Sequence, residues 1–467
     1  MSSRDLFACL FGLVVWALTL APRVSRAEPL TLEDVLESVA ETHPTIERAG
    51  MSVARADGEA LAARGGFDPV LSIRGLWSPI GYYDNGQVET QLRQPTPLWG
   101  ASVYAGYRIG WGSYPPYRGG YQTLSGGELR AGVDIPLWRD GPIDARRAKI
   151  ERTRLGVEAA QQRRDLALLA VQRAAARTYW SWVAAGLRRD VTRALLELAE
   201  RRDVGLRELA AAGAVESMQL VDNRRLILDR TTRAIDAERR FQEAAIALSL
   251  YLRDDQLAPV VPDERQAPRS IAAPRALALP PIERDIEDAM HRRPDVIAAQ
   301  TSRRAAAVQL RLARNQRAPA INLQSFVAKD LGEGPAQLRP VEWGAGAVFE
   351  LPLALREARG AYRAARAELG AVDAELRQLR DQIAAELRAA RVALETSRRA
   401  VALADAHVNV AHELAAAERT RLREGASDLL AVNLRELAVA DAELARIDAL
   451  ATFQHALIDY RVALGSI

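Results

Sequence analysis

The longest regular pattern in the chain is a recurrence of apolar residues at alternating spacings of three and four. One clear run of it is Leu369, Val372, Leu376, Leu379, Ile383 and Leu387. This is the heptad seam of a coiled coil. The pattern extends from Pro136 to Gly213 and again from Pro352 to Gly425. At about 1.5 Å per residue, each stretch predicts a helix of roughly 100 Å, which is too long to fold around an ordinary globular core.

Each predicted long helix turns at a glycine and is followed by a second helical pattern. These return helices are predicted from Ser217 to about Leu252 and from Ser427 to about Leu464. Charge pairs four residues apart, such as Glu197 with Arg201, give the helices an outer face suited to water. The sequence therefore predicts two long antiparallel helical hairpins.

The segments that precede each predicted hairpin have a different spacing of apolar residues. The segment from Phe67 to Ser78 places Phe67, Leu71, Ile73 and Trp77 on one side and Asp68, Ser72 and Arg74 on the other. Alternation with a period of two predicts a strand with one apolar face. Further strand patterns, separated by Gly, Pro and Asn-Gly turn signals, cover residues 88–94, 101–110, 128–135, 319–328 and 342–351.

The order of these patterns is duplicated. Leu32 corresponds to Ile282 and Pro44 to Pro294, each 250 residues later in the chain, whereas residues 134–138 correspond to 350–354, only 216 residues later. The shorter distance between the later positions indicates about 34 extra residues in the first copy. We predict a first repeat at 28–256 with strands about 67–136 and a helical hairpin about 142–252, a proline-rich linker at 257–280, and a second repeat at 281–467 with strands about 319–351 and a hairpin about 355–465.

The N-terminus has the pattern of an export signal. Arg4 precedes an apolar run from Leu6 to Leu20, and small residues stand at Ser25 and Ala27. Residues 1–27 are therefore predicted to be a signal peptide that is cleaved before Glu28. The single cysteine, Cys9, lies inside this segment, so the mature chain is expected to have no disulfide.

Aromatic residues are concentrated in the strand region of the first copy. In a strand-rich segment, Trp and Tyr suit the headgroup levels on the two sides of a membrane. A soluble sandwich that packs Tyr, or a sugar-binding face, is the alternative. The predicted membrane-interface aromatics are Trp77, Tyr104, Tyr107, Trp111, Trp138 and, in the second copy, Trp343.

Charge and candidate chemistry argue against several functions. The chain of 467 residues has 63 Lys and Arg against 60 Asp and Glu, so no strong field favours nucleic acid as a partner. The five histidines are scattered, and His407 and His412 are five residues apart, not the four that place two ligands on one helical face. We predict no catalytic residue, no metal site and no cofactor, and hence no enzyme.

Three motifs in this order resemble the TolC-like outer-membrane efflux protein family. They are LTLEDVLESVAETHPTI at 30–46, RRPDVIAAQTSRRAAAVQLRLARNQRAPAINL at 292–323, and LREGASDLLAVNLRELAVADAEL at 422–444. The resemblance covers nearly the whole mature chain. It implies a mainly α fold with a membrane β-barrel, in which a homotrimer joins a trimeric α-barrel to a shared transmembrane β-barrel of twelve strands, four from each chain.

The resemblance also implies a function. Such a protein lies in the outer membrane of a Gram-negative-type cell, with a large periplasmic part. It acts as the passive exit duct for efflux transport or type I secretion, and docks through its hairpin tips to a periplasmic adaptor protein and an inner-membrane pump. The matching tip positions are Gly213, Ser217, Leu422, Gly425, Ser427 and Asp428.

Some alternatives stay open at this stage. Ser217, Ser427 and Asp428 are equally suited to cap the returning helices. Threefold symmetry would repeat Glu216, Asp222 or Asp428 as an acidic ring at the entrance that favours cations. The extra residues of the first copy form either an outer loop hairpin, which we prefer, or two further strands. A soluble periplasmic coiled-coil adaptor or scaffold is the competing function, and the cargo is not identified.

Overall fold

The structure is a computed structural model that describes residues 29–115, 120–212, 216–274 and 278–467. The predicted signal peptide at 1–27 lies outside this part. The described helices are α1 (Leu32–Thr42), α2 (Pro44–Arg64), α3 (Ala145–Ala211), α4 (Ser217–Ser249), α5 (Ile282–Arg292), α6 (Pro294–Asn315), α7 (Arg356–Arg423) and α8 (Leu429–Ala463). The predicted fold class, mainly α with duplicated strands and long helical hairpins, is confirmed.

The short helices begin and end where the sequence signals stand. Thr31 forms a capping box with Asp34 at the start of α1: each side chain accepts a hydrogen bond from the other residue's backbone N–H. Pro44 and Pro294 are the first residues of α2 and α6, where the missing N–H of proline costs nothing.

The first long helix begins later than Pro136. Asp144 precedes α3, and its Oδ1 accepts a hydrogen bond from the backbone N–H of Arg147 at 2.9 Å. A carboxylate in this position satisfies a free amide of the first turn and so fixes the start of the helix. From there α3 continues without interruption for 67 residues, and α7 for 68.

Six strands form one antiparallel sheet in chain order. They are β1 (Val70–Ser78), β2 (Asn85–Pro95), β3 (Ser102–Gly112), β4 (Glu128–Pro136), β5 (Ala320–Asp330) and β6 (Glu342–Glu350). The preferred expectation of four strands with an outer loop hairpin is wrong. The extra residues of the first copy form β2 and β3, which pair along their length with β1 and β4.

The register gives the sheet two unlike faces. One transverse row joins Leu71, Leu92, Ala105, Ala131, Val327 and Trp343, all of them apolar. The opposite side of the sheet carries a row of charged residues, Arg74, Glu89, Arg108, Glu128 and Asp330. We call these the apolar face and the polar face. The predicted alternation is confirmed from Leu71 to Trp77, whereas Phe67 lies in a short 3-10 turn and Asp68 follows that turn, both before the strand begins.

The chain separates into two compact units, each built from both halves of the sequence. Among the described residues, the first contains those at 29–43 and those within 172–276 and 393–458; the second contains those within 44–171, 277–392 and 459–467. In the first unit Trp182 is fully buried and stacks on Phe241, with ring centroids 6.1 Å apart. Nearby, burial together with Glu33 and Asp34 raises the pKa of Tyr179 to about 12.

In the second unit, the hydroxyl of Tyr460 donates to Asp285 Oδ2 at 2.6 Å. Burial and this hydrogen bond raise the pKa of Tyr460.

The helices of the described chain include none that is long and apolar enough to cross a membrane.

Candidate functional site

The tip of the second hairpin is held by contacts between residues close together in the chain. Gly425 follows α7 with φ at +74°, a conformation that glycine adopts without the steric cost of a Cβ atom. Its N–H donates to the carbonyl of the half-buried Leu422 at 3.1 Å. The predicted turn at Gly425 is therefore confirmed.

Asp428 and Ser427 have different roles at this tip. Asp428 Oδ1 accepts the backbone N–H of Ala431 at 2.8 Å, so the capping role considered for Asp428 is confirmed. Ser427 does not cap α8 in this way; its hydroxyl donates to Glu418 Oε1 at 2.5 Å. Arg421 closes the turn by donating to the carbonyl of Ala426 at 3.2 Å.

The tip of the first hairpin is described up to residue 212 and again from residue 216. Gly213 lies outside the described residues. Glu216 occupies the position before α4 with no side-chain cap, and Ser217 is the exposed first residue of the helix. The capping role considered for Ser217 is not seen in the described part of this tip.

A groove runs beside both tips within the first unit. It has a volume of about 530 Å³ and is lined mainly by residues of α3, α4 and α8. Asp222 and Asp428 both line it, so the structure brings two of the three predicted acidic residues together; Glu216 is not among its lining residues. Leu430 and Leu434 add exposed apolar surface.

Buried charges that were not predicted from the sequence lie next to this groove. The side chain of Glu436 is 3% exposed and accepts a hydrogen bond from Arg202 Nη2 at 2.6 Å, and it lies within 4 Å of Arg230 and Arg419. Arg230, 4% exposed, also donates to the carbonyl of Leu195 at 2.7 Å. Burial lowers the pKa of Arg230, while Glu436 acts in the opposite direction.

A signal for these buried charges was present in the sequence. Asn223 and Arg230 are seven residues apart on α4, both are buried, and they occupy the inward side of the helix, where an apolar seam is expected. Polar residues at heptad seam positions indicate buried hydrogen-bonded networks, and this spacing is the sequence signal for the cluster.

The predicted interface aromatics separate by face and by level. Trp77, Tyr107, Trp111 and Trp343 lie on the apolar face, whereas Tyr104 lies on the polar face beneath Arg93. Trp77, Trp111 and Trp343 are near the loop end of the sheet, which we define by the connections at 79–84, 113–127 and 331–341. Trp138 follows β4 at the opposite end, from which α3 continues, and which we call the helix end.

The polar face carries a connected set of charges. Arg108 and Arg130 both contact Glu128, which is 3% exposed, and Arg93 contacts Asp134. Arg130 also stacks over the ring of Phe326, 4.2 Å from its centroid. Within the described ranges no group of three or more His, Cys, Asp or Glu residues is arranged to hold a metal ion.

Solved structures with the same fold are outer-membrane channels. The Campylobacter jejuni CmeC outer membrane channel is 15% identical, with 93% of this chain and 85% of that chain covered and a TM-score of 0.64. VceC from Vibrio cholerae is 17% identical over 93% and 96%, and the open state of the Neisseria gonorrhoeae MtrE channel is 18% identical over 93% and 89%, both with a TM-score of 0.64. At these identities the likeness shows the fold. No curated protein matches the chain in sequence.

Part of the sequence matches a family model. Residues 286–466, most of the second predicted repeat, match the outer membrane efflux protein family. The predicted resemblance is confirmed, and the predicted outer-membrane location and non-enzymatic role agree with a family of channels. Through this match the second half of the chain is similar to the outer membrane efflux protein family, and the described chain has the fold of the outer-membrane channels named above.

Proposed function

We propose that this protein is the passive exit duct of a tripartite efflux or secretion system and works as a homotrimer. The observation that carries the proposal is the two-faced sheet. Its strands have 9 to 11 residues, which is the length of a tilted strand that crosses a bilayer. One face is apolar and the other is charged, as expected for a sheet between lipid and water.

The apolar face is exposed and fits a hydrocarbon environment. Ile73, Trp77 and Trp343 are each 69–70% exposed, and the six described strands all belong to this one sheet. A soluble sandwich would cover such a face with a second sheet. We propose that Trp77, Trp111 and Trp343 lie at the outer headgroup level and Trp138 at the inner one, where their amphipathic rings are stable.

The two edge strands of the sheet favour assembly with identical copies. Each of β1 and β6 pairs on only one side in the described sheet, and an unpaired edge in lipid leaves amide and carbonyl groups without hydrogen bonds. Three copies joined edge to edge, β1 to β6, would close the sheet with eighteen strands, since each chain contributes six.

The helices of the first unit favour the same assembly. Polar contacts link α4 to α3 through Asn223 and Asp203, α3 to α8 through Arg202 and Glu436, and α8 to α7 through Glu443 and His412. The two outer helices, α4 and α7, carry exposed apolar residues that face away from these contacts. They are Val221, Leu228 and Ile235 on α4, and Leu403 and Val410 on α7. Packing α4 of one copy on α7 of the next would bury both sets.

We further propose that the groove beside the tips receives the periplasmic adaptor protein. Its leucines supply apolar contact and its arginines and aspartates supply charge complementarity. Gly213, Ser217, Leu422, Gly425 and Ser427 belong to the same tips. Asp222 and Asp428 are proposed as the acidic residues that favour cations at the entrance, with Glu216 nearby.

Conductance in planar lipid bilayers tests the duct. We expect stable ion-conducting channels from detergent-purified trimers, and a weaker cation preference, read as a shift of reversal potential, in the Asp222→Asn, Asp428→Asn double variant. A stable trimer that never conducts, or a monomer released with the soluble periplasmic fraction, contradicts the proposal and favours the scaffold.

Docking needs a separate test in cells. Leu430→Glu with Leu434→Glu should abolish transport while the purified channel still conducts, because both residues line the groove. Met51→Glu is the matched control, since Met51 is similarly exposed on α2 and lies outside the groove. Equal transport in the two variants would show that the adaptor binds elsewhere.

A further inference from the structure

The connection between β3 and β4 lies against the polar face of the sheet. Of this connection, residues 113–115 and 120–127 are described. The segment Tyr121–Leu124 contacts three strand residues whose side-chain positions belong to the polar face. The ring of Tyr121 lies 5.6 Å from the guanidinium of Arg108, and the N–H of Leu124 donates to Asp330 Oδ1 at 3.0 Å.

Gly110 is the third contact and explains why the segment can approach so closely. A Cβ atom on Gly110 would stand 2.4 Å from the carbonyl oxygen of Tyr121 and 2.8 Å from the hydroxyl of Tyr114. Thr123 Oγ1 accepts the N–H of Gly110 at 3.1 Å. Gly110 does not have a positive φ, so the close passage of the segment, and not backbone strain, is what requires glycine here.

The segment is also fixed to the connection between β5 and β6. Leu124 is 2% exposed, and the N–H of Ser125 donates to the carbonyl of Glu333 at 3.0 Å. The N–H of Gly126 donates to the carbonyl of Leu331 at 2.7 Å. Together with the bond from Gly110 of β3 to Thr123, these bonds hold the segment across the sheet from β3 to the end of β5, near the loop end.

We propose that Tyr121–Leu124 forms a collar inside the outer mouth of the channel and sets its conductance. This inference rests on the proposed function, in which the polar face surrounds the water-filled passage. Three copies would place three such segments in the passage. The two extra strands of each chain widen a closed sheet, and the segment that comes with them narrows it again, with the aromatic ring of Tyr121 exposed to passing ions.

Modification of a single cysteine tests the collar without disturbing the fold. The only native cysteine is Cys9, so Tyr121→Cys in a Cys9→Ser background gives one reactive thiol per chain at a position that is 42% exposed. A bulky cationic methanethiosulfonate reagent added to a single channel in a bilayer should lower the current in three steps. The matched control is Ile80→Cys in the β1–β2 loop, which is 93% exposed and has no place in the collar.

The possible outcomes distinguish failure of the collar proposal from failure of the proposed channel function. If the unmodified protein does not conduct, the proposed function fails. If it conducts, and mass spectrometry shows complete modification of Tyr121→Cys with no more change in current than for Ile80→Cys, the collar is wrong and the channel stands.

A second pair of variants tests the collar by substituting glycines in the strands of the sheet. Gly110→Val should displace the segment and raise conductance by roughly twofold, because conductance follows the width of the narrowest part. Gly346→Val adds the same side chain to the same polar face, where a Cβ atom would meet nothing within 4 Å. We expect little change from Gly346→Val; equal conductance in the two variants would overturn the collar.

Discussion

The two hairpin tips differ in what holds them. The second tip is stabilised by neighbours in the chain: Gly425 makes the turn, Asp428 caps α8, and Ser427 bonds to Glu418. In the described part of the first tip, no side chain caps α4. Instead, Asn223 bonds to Asp203 at 3.0 Å, and Arg230 reaches the carbonyl of Leu195 on α3.

This difference bears on how a channel could open at its tips. Contacts within one turn can break without disturbing other helices, because they involve only nearby residues. The first tip is different, since Arg230 and Arg202 share Glu436 of α8. Movement of α4 away from α8 separates the buried Arg230 from Glu436, which lie 3.8 Å apart, so we expect the first hairpin to resist opening more than the second.

The largest expected effect comes from removing the shared carboxylate. Glu436→Ala leaves Arg202 and Arg230 without their buried anion and should lower the free energy of local opening in α4 by about 3–5 kcal/mol. Hydrogen exchange of peptides from 217–235, followed by mass spectrometry, measures this change.

Glu443→Ala is the control for the shared carboxylate. Glu443 lies on the same helix and pairs with His412 at 3.2 Å, but its side chain is 36% exposed, so we expect a loss of less than about 1 kcal/mol. Equal exchange in the Glu436 and Glu443 variants would show that the first tip does not depend on buried charge.

The turn glycine of the second tip should have the next largest effect. Gly425→Ala places a Cβ atom on a residue with φ of +74° and should destabilise the turn by about 1–2 kcal/mol. Faster tryptic cleavage after Arg421 and Arg423 is the readout.

Gly370→Ala provides a control of opposite sign for Gly425→Ala. Gly370 is inside α7, and a Cβ atom there meets nothing within 4 Å, so alanine should stabilise the helix by about 1 kcal/mol. Should Gly425→Ala leave cleavage at the wild-type rate, the second tip is not held by its local turn.

Much of this fold could be predicted because it depends on local sequence signals. The period-two pattern of β1 and the glycine at 425 gave the correct faces and the correct turn. Membership of β2 and β3 in the sheet could not be predicted in the same way. An outer hairpin and an inserted pair of strands have the same alternation and turn residues. Only the pairing of β2 with β1 and of β3 with β4 distinguishes the two arrangements.

The candidate site was predicted less completely than the fold. Asp428 was identified because its position after a turn glycine indicates a cap. Glu436 was missed because a glutamate in a long charged helix normally faces water, and its burial depends on α3 and α4 packing against α8. The collar at Tyr121 was missed for a similar reason, since loop residues give no signal of the face they cover.

A smaller effect is expected from the cap of the second tip. Asp428→Ala removes the acceptor for the N–H of Ala431 and should cost about 1 kcal/mol of local stability. Asp428→Asn is the control, because an amide oxygen can accept the same hydrogen bond. Faster exchange at residues 429–432 in the alanine variant alone supports the cap; equal exchange in both variants would mean that the charge, and not the hydrogen bond, is what stabilises the helix start.

The smallest effect is expected at the matching serine of the first tip. Ser217 is the exposed first residue of α4, and neither it nor Glu216 caps the helix within the described part of the chain. Alanine has a higher helix propensity than serine, so Ser217→Ala should change local stability by less than about 0.5 kcal/mol. Hydrogen exchange of the 217–235 peptides gives the comparison with Asp428→Ala. If Ser217→Ala loosens α4 as much as Asp428→Ala loosens α8, the first tip is held locally after all, and the buried contacts of Arg230 and Glu436 are not what distinguishes the two hairpins.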